Sequence, residues 1–479
     1  MPFSLHFETG KVTSQQLYSE IYQGILEGRL RSNERLPSTR MLSKKLGIAR
    51  NTVISVYERL QFEGWIVKKA GSGTYVSNVL EQTVNQDKRP IKHYQLGVFG
   101  TNAAKKPEII TPKNLDYDFT LGVPDHQRIA KHIWRHSRLS RLNALTPEFA
   151  HGGDLQGLAC LRESICEYVR HSRGVICDPE DIIITQGCQQ AIMTTLLTLL
   201  SPGDLVSTED PGYPVFRNQA QLLGAQIGTV PMDDQGVVVE SIPSNTKIIY
   251  TTPSHQFPLG FSYSVERKLE LLRWAEVNNS IIIEDDYDAE YHYLNTSKQA
   301  LKSQDKNDRV IMVGSFSKIL FPGIRIGYMI PPKSLIEPIS NMLWHLGRST
   351  SVVSQILLDE FMRDGHFSHH LLNMNKIYSE KYNKLTQLID NIDCLQRIPS
   401  QGGLHIAAEV SGCATQTMNK LASSNVAVYP SSHFSINNHS NALLFGFGII
   451  PTQKIEKAFD IIQSVLNKSR YKIVPSKMS

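Results

Sequence analysis

The stretch Val310-Ile311-Met312-Val313-Gly314-Ser315-Phe316-Ser317-Lys318, running on to Pro322-Gly323-Ile324-Arg325-Ile326-Gly327, decides how the chain is read. Its apolar opening has the length and composition of a buried strand. It closes on a Gly and two Ser, which offer hydroxyls and accessible backbone N–H groups. One Lys follows, then an Arg. A Lys at a strand end, walled by apolar residues, is held partly desolvated. That lowers its pKa and makes its neutral amine a nucleophile. Such an amine condenses with an aldehyde, and Ser315, Ser317 and Arg325 suit a phosphate beside it. Aldehyde and phosphate together describe pyridoxal 5′-phosphate. Taken alone, the stretch also fits a surface lysine after a core strand.

Working outward, strand-like and helix-like runs alternate from residue 115 onward. Asp181 to Thr185 precedes an apolar helix through Leu200. Asp204 to Thr208 precedes Pro211-Gly212-Tyr213. Lys247 to Tyr250 leads into a loop from Thr252 to Gly260. A helix over Val265–Val277 puts Leu269, Leu272 and Ala275 on one side, and Ser280 to Asp285 is a further strand. This alternation predicts an α/β domain with a largely parallel sheet, whose ligands bind beyond the carboxyl ends of the strands. Those ends carry a coherent set. Gly187, Cys188 and Gln189 open a helix, whose free N–H groups suit a phosphate. Tyr213 can stack on a flat ring. Asp285 can hold a proton on a pyridine nitrogen, and Tyr287 can bond a ring hydroxyl. A structural role for each residue separately is ordinary, but the set falls at successive strand ends.

The first 78 residues carry 11 Lys+Arg against 6 Asp+Glu, and the remainder 39 against 39, so the whole net charge of +5 lies at the front. That suggests a nucleic-acid-facing module joined to a neutral one. Leu17, Ile21 and Ile25 mark one face of a helix within residues 14–29, closed by Gly28 and the stretch from Arg29 to Asn33. Ser38 is placed to cap a second helix with Leu42 and Leu46, which Gly47 ends. A third opens at Ala49-Arg50-Asn51-Thr52, with Val53, Val56, Tyr57 and Leu60 on its inner face. Two short helices with a tight turn, the second presenting Arg50, Asn51 and Thr52, fit a helix-turn-helix. Two β-prone runs around Lys68, Lys69, Gly71 and Gly73 predict a hairpin wing. Residues 80–114 are polar and without a clear period, and read as an extended linker.

Six cysteines lie scattered with no C-x-x-C pair, which argues against a zinc ribbon or a disulfide framework. No metal is expected. No signal-like start and no membrane-length apolar run occur, so a cytoplasmic chain is expected.

Residues 11–79 resemble the DNA-binding domain of GntR-family regulators. The resemblance rests on Leu36-Pro37-Ser38-Thr39-Arg40, on Leu46 to Val53, and on Glu63-Gly64-Trp65 with Gly71-Ser72-Gly73-Thr74. It implies operator contacts from Arg40, Arg50 and the small polar residues after it, and a wing tip in the minor groove. Residues 115–475 resemble fold-type I pyridoxal phosphate enzymes of the aspartate aminotransferase kind, with His151 to Gly157 and Leu161-Arg162 as further marks. The two joined resemble MocR-type regulators, as do the loop Thr252 to Gly260 and Glu284 to Asp288 in particular. The resemblance implies that Lys318 carries the cofactor as a Schiff base, Asp285 meets the pyridine nitrogen and Tyr287 the ring hydroxyl. It makes Tyr213 the stacking ring, and Gly187, Cys188, Ser315, Ser317 and Arg325 the phosphate cup. Either His255 or Gln256 lies near the ring oxygen. It implies a homodimer with exchanged N-terminal domains, binding double-stranded operator DNA and a small-molecule effector.

The sequence departs from aminotransferases where they hold a substrate carboxylate with an Arg near the chain end. Here Leu444 to Ile450 contains none, and neither does Pro214-Val215 after Tyr213. A carboxylate in a desolvated pocket without a bidentate partner is poorly bound. The expectation is a regulator sensing the vitamin itself or a related amino compound. A working aminotransferase with a DNA-binding appendage is the alternative.

Overall fold

The computed structural model describes residues 12–78, 95–104, 115–126 with 128, 154–293, 299–347, 350–437 and 440–470. It divides into two compact units at Gln95/Leu96.

The first unit holds helices α1 (Ser14–Leu26), α2 (Thr39–Leu46) and α3 (Arg50–Phe62). Thr13 and Gln16 form a reciprocal capping box at the start of α1. The helix stops at Leu26, and Gly28 closes it as expected, turning the chain at φ +72°. Ser38 Oγ accepts from Met41 N at 3.2 Å at the start of α2, and Gly47 closes that helix left-handed at φ 66°. Leu17, Ile21, Leu42, Val53, Val56, Tyr57 and Leu60 share one core. The wing is broader than a hairpin. Strands β1 (Arg35–Leu36), β2 (Ile66–Lys69) and β3 (Gly73–Val76) form a three-stranded antiparallel sheet in the order β1-β3-β2. A two-residue strand carries too little periodicity to be seen in sequence.

The second unit begins with a helix, α4 (Val98–Ala103), inside the segment read as an extended linker. Asn102 Nδ2 donates to the carbonyls of Gln221 and Leu222 at 3.3 and 3.2 Å, tying α4 to the unit that follows. Next come α5 (Ala159–Arg173), β5 (Ile183–Thr185), α6 (Cys188–Leu199), β6 (Leu205–Asp210), α7 (Pro214–Leu222), β7 (Gln226–Asp233), β8 (Gly236–Val237) and β9 (Ile248–Thr251). Then follow α8 (Val265–Val277), β10 (Ile281–Asp286), β11 (Val310–Ser315) and β12 (Gly327–Ile330). These strands build an eight-stranded sheet ordered β5-β12-β11-β10-β9-β6-β7-β8. The pairs β6–β7, β6–β9, β9–β10 and β10–β11 are parallel, while β12 and β8 pair antiparallel with their neighbours. Strand alternation sorts the apolar run: Ile311 and Val313 pack on one face, Val310 and Met312 on the other. Helix α8 spans the expected residues, but its buried positions are Lys268, Leu271 and Ala275 while Leu269 is exposed. The lysine stem packs inward and its amine reaches the Gln299 carbonyl at 3.0 Å, which rotates the face by one residue.

A four-stranded antiparallel sheet follows, β13 (Leu395–Arg397), β14 (His405–Val410), β17 (Ala442–Gly446) and β16 (Tyr429–Pro430), with helices over Ala414–Ser423 and Thr452–Arg470. The chain at Tyr117–Asp118 (β4) pairs parallel with Val426–Ala427 (β15), which brings Leu121 and Gly122 towards the large sheet. The expected marks His151, Gly152 and Gly153 lie outside the described residues, as does most of the linker. Among the described residues, no helix is long and apolar enough to cross a membrane.

Candidate functional site

The carboxyl ends of β5, β6, β9, β10 and β11 gather around one cavity of about 660 Å³. Its wall includes Cys188, Gln189, Tyr213, Tyr250, Phe257, Asp285, Tyr287, Lys318 and His405. Among the described residues on that wall, Lys318 is the one cation and Asp285 the one anion.

The run Glu284-Asp285-Asp286-Tyr287-Asp288 is sorted by the two-residue period of the strand. Glu284 turns away and accepts from Leu301 N and Lys302 N at 2.6 and 2.8 Å. Asp286 also turns away and pairs with the buried Arg173, whose Nη2 donates to Asp286 Oδ1 at 2.8 Å and to Ser254 Oγ at 2.6 Å. These bonds fix the strand end from behind. Asp285 and Tyr287 face the cavity. Tyr250 donates its hydroxyl to Asp285 Oδ2 at 2.6 Å, while Asp285 Oδ1 is buried with no partner. Burial pushes the Asp285 pKa up to about 7, against the pull of the Tyr250 hydroxyl.

Lys318 is held where the sequence places it. Burial lowers its pKa, so its amine is nucleophilic nearer neutrality. Its Nζ donates to the Gly122 carbonyl at 2.7 Å. Gly122 sits at φ +63°, which favours glycine, and a Cβ there would stand 2.4 Å from Lys318 Nζ and push the amine aside. Tyr213 stacks on Tyr250 with ring centres 6.2 Å apart and planes 24° apart, and meets Phe257 edge-on at 5.8 Å. An apolar and aromatic slot with Asp285 and Lys318 on its wall can hold a flat cationic heterocycle.

The remaining expected residues divide. Gly187 precedes α6 at φ +89°, and Cys188 opens that helix with its thiol pushed up to about 12 by burial. Ser315 is buried and its Oγ accepts from Ser317 N at 3.2 Å. Arg325 is exposed, at φ 51°, and its charge acts on Cys188 and Tyr213. Gly187, Ser315, Ser317 and Arg325 sit beside the cavity rather than on its wall. Gln256 is turned away: Nε2 donates to Glu209 Oε2, Pro211 O and Phe257 O at 3.1, 2.9 and 2.7 Å, and Oε1 accepts from Leu259 N. His255 stands behind Tyr287, its Nδ1 2.9 Å from the Tyr287 hydroxyl. The sequence reading missed Tyr250, Phe257, His405 and the α7 residues Asn218, Gln219, Gln221 and Leu222, all on the wall. Tyr250 could have been found from strand alternation with Ile249.

In the first unit, Arg40, Arg50, Asn51, Lys68, Lys69 and Gly71 are exposed, with Thr52 and Gly73 half-buried. Helix α3 begins at Ala49 without a side-chain cap, so its first N–H groups beside Arg50 and Asn51 are free for an anion. Tyr57 fixes α3 against the turn before α2, donating to Pro37 O at 2.9 Å. Lys69 Nζ lies 4.8 Å above the Tyr75 ring at the wing.

A winged helix-turn-helix and an aminotransferase-type domain in one chain define a DNA-binding regulator built on an enzyme scaffold. Residues 13–76 match the family of bacterial regulatory proteins, gntR family, and residues 118–461 match aminotransferase class I and II. The chain is 33% identical over 380 residues to the probable rhizopine catabolism regulatory protein MocR of Rhizobium meliloti, covering 77% of this chain and 75% of that one. It is 29% identical over 449 residues to the pyridoxine biosynthesis transcriptional regulator PdxR of Corynebacterium glutamicum, covering 94% of each. The crystal structure of Pyrococcus horikoshii kynurenine aminotransferase shares the fold of the larger unit, with a TM-score of 0.69 at 22% identity over 82% of this chain and 98% of that one. The chain belongs to the MocR-type subfamily of GntR-family transcriptional regulators.

Proposed function

We propose that this regulator binds pyridoxal 5′-phosphate in the cavity, and that the cofactor or a related amino compound is the signal that sets its grip on operator DNA. The carrying observation is Asp285. One buried carboxylate oxygen has no partner, on the same cavity wall as a nucleophilic lysine. A protonated pyridine nitrogen supplies the missing donor and lets the carboxylate ionise. Lys318 would bond the aldehyde carbon, Tyr213 would cover the ring, and Tyr287 would bond the ring oxygen. The start of α6 at Gly187 and Cys188, with Ser315, Ser317 and Arg325, would receive the phosphate. When bound, the group supplies an electrophilic carbonyl carbon and an electron-withdrawing ring.

The single cation on the described cavity wall supports sensing over transamination, since a substrate carboxylate finds no guanidinium there. The likeness to a regulator of pyridoxine biosynthesis supports control of vitamin B6 or amino-compound genes. We also assign to this reading a homodimer with exchanged N-terminal domains, with operator half-sites about 34–36 Å apart or multiples of it. Electrophoretic shift on the DNA upstream of its own gene, with and without pyridoxal phosphate, tests the reading. An affinity that changes with the cofactor supports it. An affinity unchanged by the cofactor but shifted by amino acids at sub-millimolar levels overturns it.

A further inference from the structure

Three groups lead inward from the cavity wall, beginning with Tyr287. The Tyr287 hydroxyl is 2.9 Å from His255 Nδ1, and that same Nδ1 is 2.9 Å from Asp288 Oδ1. Asp288 Oδ2 accepts from Leu404 N at 3.1 Å. One imidazole nitrogen therefore faces a carboxylate and a phenol at once, and it can carry at most one proton.

The charge state of Asp288 decides which way that proton points. Burial pushes the Asp288 pKa up, but the adjacent His255 and the Leu404 N–H outweigh burial and leave it below the usual carboxylate value. An ionised carboxylate only accepts, so Nδ1 must be the donor. The other nitrogen agrees: His255 Nε2 is buried without a partner. A bare lone pair there costs less than an unpaired buried N–H would alongside a proton-less Nδ1 facing a carboxylate. The neighbouring His405, 4.9 Å away between ring centres, is neutral, since burial lowers its pKa to about 3. Gly403 packs so closely that a Cβ would stand 2.0 Å from His255 Cε1, which holds the ring in this orientation.

We propose that His255 is a positioning residue: Asp288 holds the single proton on Nδ1, so the imidazole cannot accept from the Tyr287 hydroxyl, and the Tyr287 proton is left free for a ring oxygen in the cavity. Tyr287 has a proton to give, because burial raises its pKa well above the ordinary phenol value. A donated hydrogen bond stabilises negative charge on that ring oxygen, and so lowers the pH at which the Lys318-bound chromophore loses its proton. This inference rests on the reading of the cavity as a pyridoxal phosphate site. It assigns a chemical role to His255 and leaves Gln256 to brace the loop.

The experiment is a pH titration of the ~420 nm band in the full chain loaded with pyridoxal phosphate. Tyr287→Phe is expected to raise the midpoint by about one unit, a tenfold change in proton affinity. Asp288→Asn keeps the shape but removes the charge. It lets Nδ1 become an acceptor that takes the Tyr287 proton, the tautomer error known from asparagine in the serine protease triad. It is expected to move the midpoint the same way, and the double variant no further than Tyr287→Phe alone. An Asp288→Asn midpoint equal to the unaltered chain's, with Tyr287→Phe shifted, overturns the proposal. So does additivity in the double variant. Should Asp288→Asn fail to fold, ¹⁵N-histidine spectra of the unaltered cofactor-free chain decide the point, with His255→Asn assigning the signal. A proton on Nδ1 is expected, and a bare Nδ1 overturns the proposal. A chain that takes up no colour refutes the pyridoxal phosphate reading, and the ¹⁵N spectrum still decides the tautomer.

Discussion

Tyr250 and Asp285 stand on adjacent parallel strands, and the Tyr250 hydroxyl holds Asp285 Oδ2 at 2.6 Å while Oδ1 has no partner. The tyrosine satisfies half of the carboxylate and aims the other half. Burial then raises the Asp285 pKa to about 7 from 3.8.

The Asp285 carboxyl makes stability and binding respond oppositely. Its folded pKa lies above the unfolded value, so its contribution is present below pH ~4 and is lost as pH rises towards ~7. Asp285→Asn should therefore raise the unfolding midpoint of the cofactor-free chain at pH 7.5 and flatten its fall between pH 4 and 7. The same change should weaken pyridoxal phosphate binding about 10- to 150-fold, the value of a charged hydrogen bond of roughly 1.5–3 kcal/mol. Calorimetry and absorbance titration read the two effects separately.

Lys318→Ala should abolish the ~420 nm band expected of lysine-bound cofactor. Gly122→Ala attacks the same amine from outside. Its Cβ would stand 2.4 Å from Nζ at a backbone φ of +63°. We expect slower growth of the band and a loss of about 1–3 kcal/mol in stability. Stopped-flow absorbance and thermal unfolding measure these. A normal rate would mean the carbonyl at Gly122 does not set the lysine.

On DNA, Arg50→Ala should cost about 1–3 kcal/mol of operator affinity and relax sequence preference. Lys68→Ala with Lys69→Ala should weaken all sequences alike and lower the salt slope of log K by about 1.8. Fluorescence anisotropy across salt concentrations distinguishes the two patterns.

Turnover offers a check on the sensing reading. With common amino donors and keto acids, steady-state transamination should stay below about 1 s⁻¹, the low end of ordinary enzymes. A sustained rate above that would make the larger unit a working enzyme.

The strands that carry the pocket were legible because each opens on an apolar run: Ile281 to Asp286 and Val310 to Ser315 fall within a residue of their expected ends. Lys318, Asp285, Tyr287 and Tyr213 were legible because they follow such runs directly. What escaped depends on contacts distant in sequence. Gly122 reaches Lys318 across 196 positions, and His405 arrives from the second sheet. Short strands such as Arg35–Leu36 have no period to read. The inward face of α8 differs from the Leu269, Leu272 and Ala275 expected because the Lys268 stem is buried, with Leu271 and Ala275.

Helix α4 gives the connecting segment an anchorage. Asn102 and Ala103 form part of the cavity rim, and Asn102 grips the last turn of the helix that Tyr213 begins. Whatever settles in the chamber thus shares a wall with α4, so the residues that open the larger unit also frame the doorway of its chamber.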